Sequence, residues 1–414
     1  MDGKKRNIAQ KIDRLAHFFP VVVILGARQC GKSTLAKMIR PDWHYFDLQN
    51  PNHYQRLSDD PVLFFQEHSR HIIIDEAQLF PDLFSVLRGV VDGQRSLKNR
   101  FILTGSASFE LMKNISESLA GRVGIVELAG FKINEFKDQP LPQFFQMFNQ
   151  TITEKSIDPI KTVKSDVGII ELKHALLKGS YPEPVLADNI DFHQDWMQNY
   201  FDTYINRDMR SLFPRLDIIK YRRVLSMLSR LSGTIINKSD ISRSIEASEK
   251  TVRDYLEIIT GTYFWRQLEA YVTPRVKTTL KLPKGYFRDS GLIYYLQNIN
   301  TLEALNNSAQ LGRVFEHFIV EEVIKGIEAT DARNLNYYHF RTKAGAEIDF
   351  IVEGSFGVLP IEVKMQSATP QRSLKALQNF IDIHRLPFGI LINNSDEACM
   401  LSEKIIQIPA GCVV

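Results

Sequence analysis

The sequence predicts an α/β multidomain protein: a parallel sheet first, a largely helical middle, and a mixed α/β C-terminal domain. Three observations carry this. Short β-branched runs separated by helical patterns fill roughly the first 130 residues, as expected of parallel strands buried on both faces. Apolar residues recur at helical spacing through much of residues 168–300. After Gly312 the pattern changes to helix, three strands, helix, strand.

The first strands are read at PVVVILG (20–26), WHYFDL (43–48), HIIIDE (71–76), RFILTG (100–105) and VGIVEL (123–128). From 138 to 166 the periodicity breaks down into Pro, Gln, Thr and Lys, so 141–167 is expected to be a linker or lid, with Phe144 to Phe148 able to pack. Helices follow over 193–213 and 218–233. Residues 236–265 give a short helix, a tight turn at Glu246-Ala247-Ser248 with Ser248 as N-cap, and a second helix ending at Gly261. Aromatic and β-branched residues come next, an order that resembles a winged helix-turn-helix. The last region offers a helix over 312–327, strands over 337–342, 347–353 and 357–364, a helix over 371–383 and a strand over 388–392. The expected domains are therefore 1–140, 168–309 and 310–414, with 141–167 between the first two.

A chain of 414 residues suits two or three domains. With 44% hydrophobic and 24% charged residues it is an ordinary globular mixture, which excludes collagenous, coiled-coil and wholly disordered chains. A formal charge of +3 is silent about partners. The three scattered cysteines (Cys30, Cys399, Cys412) support neither a disulfide framework nor a zinc site. The longest apolar runs fall far short of a membrane span, so a cytoplasmic protein without membrane association is expected.

Gly26-Ala27-Arg28-Gln29-Cys30-Gly31-Lys32-Ser33 satisfies G-x-x-x-x-G-K-[ST], follows an apolar strand and opens a helix at Thr34. Glycines let successive backbone N–H groups face phosphates at a helix N-terminus. Lys32 is then expected on the β/γ-phosphates of ATP and Ser33 on Mg²⁺. Cys30 is expected to be a small residue tolerated in the loop, with oxidation beside a nucleotide as the alternative. The run Ile72-Ile73-Ile74-Asp75-Glu76 adds the acids of a Walker B strand, Asp75 for Mg²⁺ and Glu76 to orient or deprotonate water. A third strand ends Leu103-Thr104-Gly105-Ser106, whose hydroxyls are placed either to sense the γ-phosphate or simply to cap the strand.

These strand ends resemble the AAA+ branch of P-loop ATPases. More narrowly, FPVVVILGARQCGKSTL, IIIDEAQ, FILTGSAS and SLAGRV look like the bacterial and archaeal AAA ATPases that carry a C-terminal DUF4143 domain. The similarity continues through GSYPEPV (179–185) and YINRDM (204–209). It implies ATP hydrolysis, an oligomer of identical subunits, and a γ-phosphate role for Arg122, in its own subunit or in a neighbour's. Arg207 and Arg210 are the alternatives.

In the last region Asp349 lies on one strand, and Glu362 and Lys364 lie two apart on the next, hence on one face. Glu316 on the preceding helix can add an acid. Carboxylates make a hard oxygen site for Mg²⁺, and Lys364 can position water or offset developing phosphate charge. The pattern D…ExK in this order of elements resembles the PD-(D/E)xK nuclease core, the arrangement by which DUF4143 domains are recognised. Arg341, Lys343 and Gln366 are candidates for contacts to backbone phosphate.

Basic residues including Lys220, Arg243, Lys250 and Arg253 gather around the helix-turn-helix block, interspersed with Asp240, Glu249 and Asp254. DNA is the expected partner, and no protein partner can be named. The leading functional expectation is an ATPase coupled to DNA binding and metal-dependent DNA cleavage. The alternative is an ATP-controlled conformational or assembly switch whose last domain only binds a partner. A nucleotide kinase is a distant third.

Overall fold

In the computed structural model, residues 3–106, 112, 115, 117–165, 167–273, 279–368 and 371–414 are described. They form two compact units, Met1–Phe131 with Gly261–Tyr263, and Lys132–Thr260 with Phe264–Val414.

The first unit opens with α1 (Ala9–Phe18), a helix that the basic, charge-interrupted start had not suggested. Then come β1 (Val21–Leu25), α2 (Lys32–Ile39), β2 (His44–Asp47), α3 (Pro51–Ser58), α4 (Pro61–Glu67), β3 (Ile72–Asp75), α5 (Leu83–Asp92), β4 (Phe101–Gly105) and β5 (Val123–Glu127). Their strands form one parallel sheet, ordered β2-β3-β4-β1-β5. Every residue of β1, β3 and β4 is buried, which is why these runs are continuously apolar rather than alternating. At the edge, β5 alternates instead, and α1 lies so close that a Cβ on Gly124 would meet Leu15 and Phe19. All five strands point the same way, so the turn after β1 and the acids ending β3 emerge at the same end of the sheet.

In the second unit, the described residues of 141–167 contribute to the core rather than bridging it. Phe144, Phe145 and Phe148 pack edge-on and tilted against one another in a 3₁₀ segment, and Ile157 and Ile160 join the same cluster. The polar residues between them hide this pattern from a helix or strand template. After them come α6 (Ile169–Lys178), α7 (Ile190–Thr203) and α8 (Ile218–Leu231). The YINRDM segment is a π-helical turn running on from α7.

Next are β6 (Thr234–Ile235), α9 (Lys238–Ser244), α10 (Glu249–Gly261), β7 (Trp265–Ala270) and β8 (Lys284–Phe287). Glu246 has a left-handed backbone (φ 53°), and the Ser248 hydroxyl accepts from Thr251 N at the start of α10. The remainder is α11 (Ser290–Leu296), α12 (Leu311–Glu328), β9 (Asn336–Arg341), β10 (Glu347–Gly354), β11 (Gly357–Val363), α13 (Gln371–His384), β12 (Gly389–Asn393), β13 (Cys399–Ser402) and β14 (Ile405–Pro409). The expected helix, three strands, helix and strand are present, and β13 and β14 extend them.

One nine-stranded sheet runs through this unit, ordered β13-β14-β12-β11-β10-β9-β7-β8-β6. The join is the parallel pairing of β7 with β9, Glu269 opposite Tyr338 and Ala270 opposite His339. Residues 168–309 and 310–414 therefore share a sheet and a core. Among the described residues no helix is long and apolar enough to cross a membrane.

Candidate functional site

The loop after β1 is shaped by backbone conformations that few residues adopt. Gly26 (φ 155°) has the carbonyl of Leu128 where a Cβ would stand, and Gly31 (φ 95°) is left-handed at the N-terminus of α2. Gln29 is left-handed as well (φ 65°). The Lys32 ammonium donates to the carbonyls of Gly26 (3.1 Å) and Ala27 (2.8 Å), which holds it over the loop. Cys30 is fully buried, its thiol donating to Leu128 O at 3.3 Å, while Arg6 donates to Cys30 O at 3.0 Å. Burial favours the packing role for Cys30 over a reactive one. Ala27 and Arg28 are half-buried, Ser33 is half-buried, and Thr34 is exposed on α2.

At the end of β3, Asp75 is held on both oxygens: Thr104 Oγ1 donates to Oδ1 and the Tyr45 phenol to Oδ2. Ser33 lies near the same phenol, and so on the side of Asp75. Burial, with the Asp75 hydrogen bond and charge, pushes the phenol well above its ordinary pKa and keeps it a donor. A side-chain hydroxyl and a carboxylate this close are suitable hard donors for Mg²⁺.

Glu76 occupies the left-handed region (φ 53°), uncommon for a residue with a side chain, and such strain concentrates at functional sites. Its backbone N–H donates to Thr104 Oγ1 (3.2 Å), while Ser106 Oγ donates to its Oε2 (3.0 Å) and Gln78 donates to the same oxygen. Lys32 and Ser33 open α2, and Asp75, Glu76 and Ser106 follow neighbouring strands at the same end of the sheet. Tyr45, Thr104 and Gln78 complete the set; Thr104 and Gln78 had a sequence signal, their places in LTGS and IDEAQ, and Tyr45 had none.

Arg122 is elsewhere. Val123 pairs with Val21, so Arg122 lies at the opposite end of β1 from the loop, a strand length of ~15–20 Å at ~3.3 Å per residue. Its guanidinium grips both carboxylate oxygens of Asp92 (2.8 and 2.9 Å), the last residue of α5. This pairing holds Asp92 below its ordinary pKa.

The second unit carries the other constellation. Lys364 Nζ lies 3.0 Å from Asp349 Oδ2, 2.9 Å from Glu362 Oε1 and 3.2 Å from Glu316 Oε1. Lys284, the first residue of β8, donates to Asp349 Oδ1 (2.9 Å) and Glu347 Oε1 (3.2 Å). Val363 N also donates to Asp349 Oδ2, at 3.2 Å. Asp349 and Glu362 are almost fully buried, and Lys284 is nearly so.

Burial raises the Asp349 carboxyl, but the ammonium groups of Lys284 and Lys364 outweigh it and hold the group below its ordinary range. Glu362 is pushed up to about 8 by burial and by the Asp349 charge, and Glu316 up to about 7 by the same two causes. The residues floor a cleft of about 500 Å³ that Arg313, Arg341 and Arg372 also line.

Glu316, Asp349 and Glu362 were expected to enclose a metal. Among the described residues no group of three or more His, Cys, Asp or Glu side chains is arranged to hold one. The three acids converge on the Lys364 ammonium instead, because burying so much negative charge requires a cation nearby. Lys284 and Glu347 were not foreseen, since neither belongs to the D…ExK pattern.

An AAA domain family matches residues 19–137, a domain of unknown function, DUF8612, matches 169–303, and another, DUF4143, matches 311–413. The uncharacterized protein Rv2008c of Mycobacterium tuberculosis is 32% identical over 414 residues, covering 99% of this chain and 85% of the relative. The chain belongs to the AAA ATPases with a C-terminal DUF4143 domain. The DUF8612 and DUF4143 matches of this AAA-DUF4143 chain fall on the two halves of one sheet. The uncharacterized protein MJ1544 of Methanocaldococcus jannaschii is 21% identical, over 87% of this chain and 78% of its own length.

Among solved structures, the Walker-type ATPase PABY2304 of Pyrococcus abyssi is 16% identical, covering 70% of this chain and 94% of its own, with a TM-score of 0.40. The Thermotoga maritima RuvB Holliday junction branch migration motor is 17% identical, over 65% and 89%, with a TM-score of 0.30.

Proposed function

We propose that this chain hydrolyses ATP in its first unit and uses the cleft of its second unit to bind and cut a nucleic-acid phosphodiester. The clamping of Glu76 between Ser106, Gln78 and Thr104, at the end of the sheet that carries the phosphate loop, supports hydrolysis most directly.

The amides from Gly26 to Ser33 would cradle the phosphates, and Lys32 would exchange its two carbonyl partners for β/γ-phosphate oxygens. Mg²⁺, held by Ser33 and Asp75, would supply neutralisation of phosphate charge. Glu76 would orient the attacking water and accept its proton, with Ser106 and Gln78 fixing the carboxylate. Lys32→Ala is expected to abolish nucleotide binding. Glu76→Gln should keep binding while lowering turnover on the order of 10²–10⁴-fold. Wild-type turnover in Glu76→Gln rejects the assignment.

Arg122 can serve a γ-phosphate only in a neighbouring subunit, because its own loop lies a strand length away. Mixing Arg122→Ala chains with Lys32→Ala chains should then restore turnover that neither has alone. Mixtures no more active than their components reject action between subunits and the oligomer it requires.

In the second unit, two lysines and the arginines of the cleft suit a phosphate, and the four acids would take a divalent cation only after giving up Lys364. Glu316, Asp349 and Glu362 would hold the cation once Lys364 turned toward the substrate. A second reading rests on the same atoms. With Lys364 satisfied by three carboxylates, the cleft serves as a metal-free binding module under ATP control, and cleavage assays would then find no product.

A further inference from the structure

Lys284 reaches the DUF4143 acids from outside the matched domain: it begins β8, in KLPKGYF, while Asp349 and Glu347 lie on β10. Its side chain is 8% exposed and bonded to both acids. Asp349 does not depend on it for orientation, because its other oxygen is already fixed by Val363 N at 3.2 Å and Lys364 Nζ at 3.0 Å. What Lys284 adds is charge.

Five basic and four acidic side chains line the cleft, and losing Lys284 removes one of its five positive charges. Lys364 is the other ammonium at the floor. If it turns to a substrate phosphate, Asp349 stays paired only because Lys284 remains on Oδ1.

We propose that Lys284 is the cation that fits this cleft for a phosphodiester: it offsets the buried acids, so that a polyanion can approach and Lys364 can leave them. The proposal rests on the cleft being a nucleic-acid site. It makes the binding cleft a joint product of the two halves of the sheet.

The test uses the full chain, a fluorescent single-stranded oligonucleotide with Ca²⁺ in place of Mg²⁺, and Mn²⁺ titrated calorimetrically without nucleotide. Lys284→Met should weaken oligonucleotide binding on the order of tenfold. Mn²⁺ binding should be unchanged or tighter, since a neighbouring positive charge is gone. Lys284→Arg should bind the oligonucleotide nearly as the wild type does, which controls for folding. Equal oligonucleotide binding by Lys284→Met overturns the proposal and leaves the nucleic-acid reading standing. Parallel loss of Mn²⁺ and oligonucleotide binding also overturns it, because Lys284 would then be holding Asp349 in place. A wild-type chain that binds no oligonucleotide removes the nucleic-acid reading itself, and this proposal with it.

Discussion

Lys364 and Asp349 face each other across neighbouring strands, ammonium to carboxylate at 3.0 Å, with Glu316 and Glu362 closing around the same nitrogen. Removing the ammonium takes from the buried Asp349 carboxylate one of its two cations, and from Glu316 and Glu362 their shared partner. Lys364→Met is expected to destabilise the protein in EDTA by about 3 kcal/mol, the lower end for breaking a buried pair because Lys364 is partly exposed. Mn²⁺ should recover most of that loss. Urea unfolding with EDTA and with Mn²⁺ measures both, and a variant as stable as the wild type in EDTA argues against the charge balance described.

Thr104 is both donor to Asp75 and acceptor from the Glu76 backbone. Thr104→Val keeps the shape but leaves both partners unsatisfied. Turnover is expected to fall ~10–100-fold, as when a partner behind a metal ligand is lost, and the Mg²⁺ requirement should rise. Steady-state ATPase against Mg²⁺ concentration reads both, and unchanged values show that Thr104 only caps its strand.

His339 is fully buried, with Nε2 bonded to Leu282 O at 3.0 Å and no partner at Nδ1 among the described residues. Burial lowers its pKa from 6.5 to about 4. The unfolded chain therefore takes up a proton near pH 6.5 that the folded chain refuses until about pH 4, so this stability is full above pH 6.5 and lost as pH falls toward 4. The contribution is about 3 kcal/mol. His339→Gln can still donate to Leu282 O and should flatten unfolding free energy against pH in that window. An unchanged slope assigns the acid sensitivity to other groups.

Legibility in the sequence followed how local each feature was. The phosphate loop and Asp75-Glu76 are contiguous motifs at strand ends, and Asp349, Glu362 and Lys364 follow from two-residue alternation. Tyr45 carries no signal, because only the pairing of β2 with β3 sets its phenol beside Asp75. Lys284 is hidden for a similar reason: it meets Glu347 and Asp349, 63 and 65 positions further along the chain. Residues 141–167 read as a linker because Phe144, Phe145 and Phe148 fit neither the strand nor the α-helical period, although their burial is complete or nearly so. Arg122 was named through resemblance alone, and resemblance carried no information about its distance from the loop.

The most direct measurement is cleavage of single- and double-stranded DNA with Mg²⁺ or Mn²⁺, with and without ATP, comparing the wild type with Lys364→Ala. Metal-dependent product is expected from the wild type and none from the variant. Active ATP hydrolysis with no DNA product under any condition, or equal cleavage by Lys364→Ala, contradicts it.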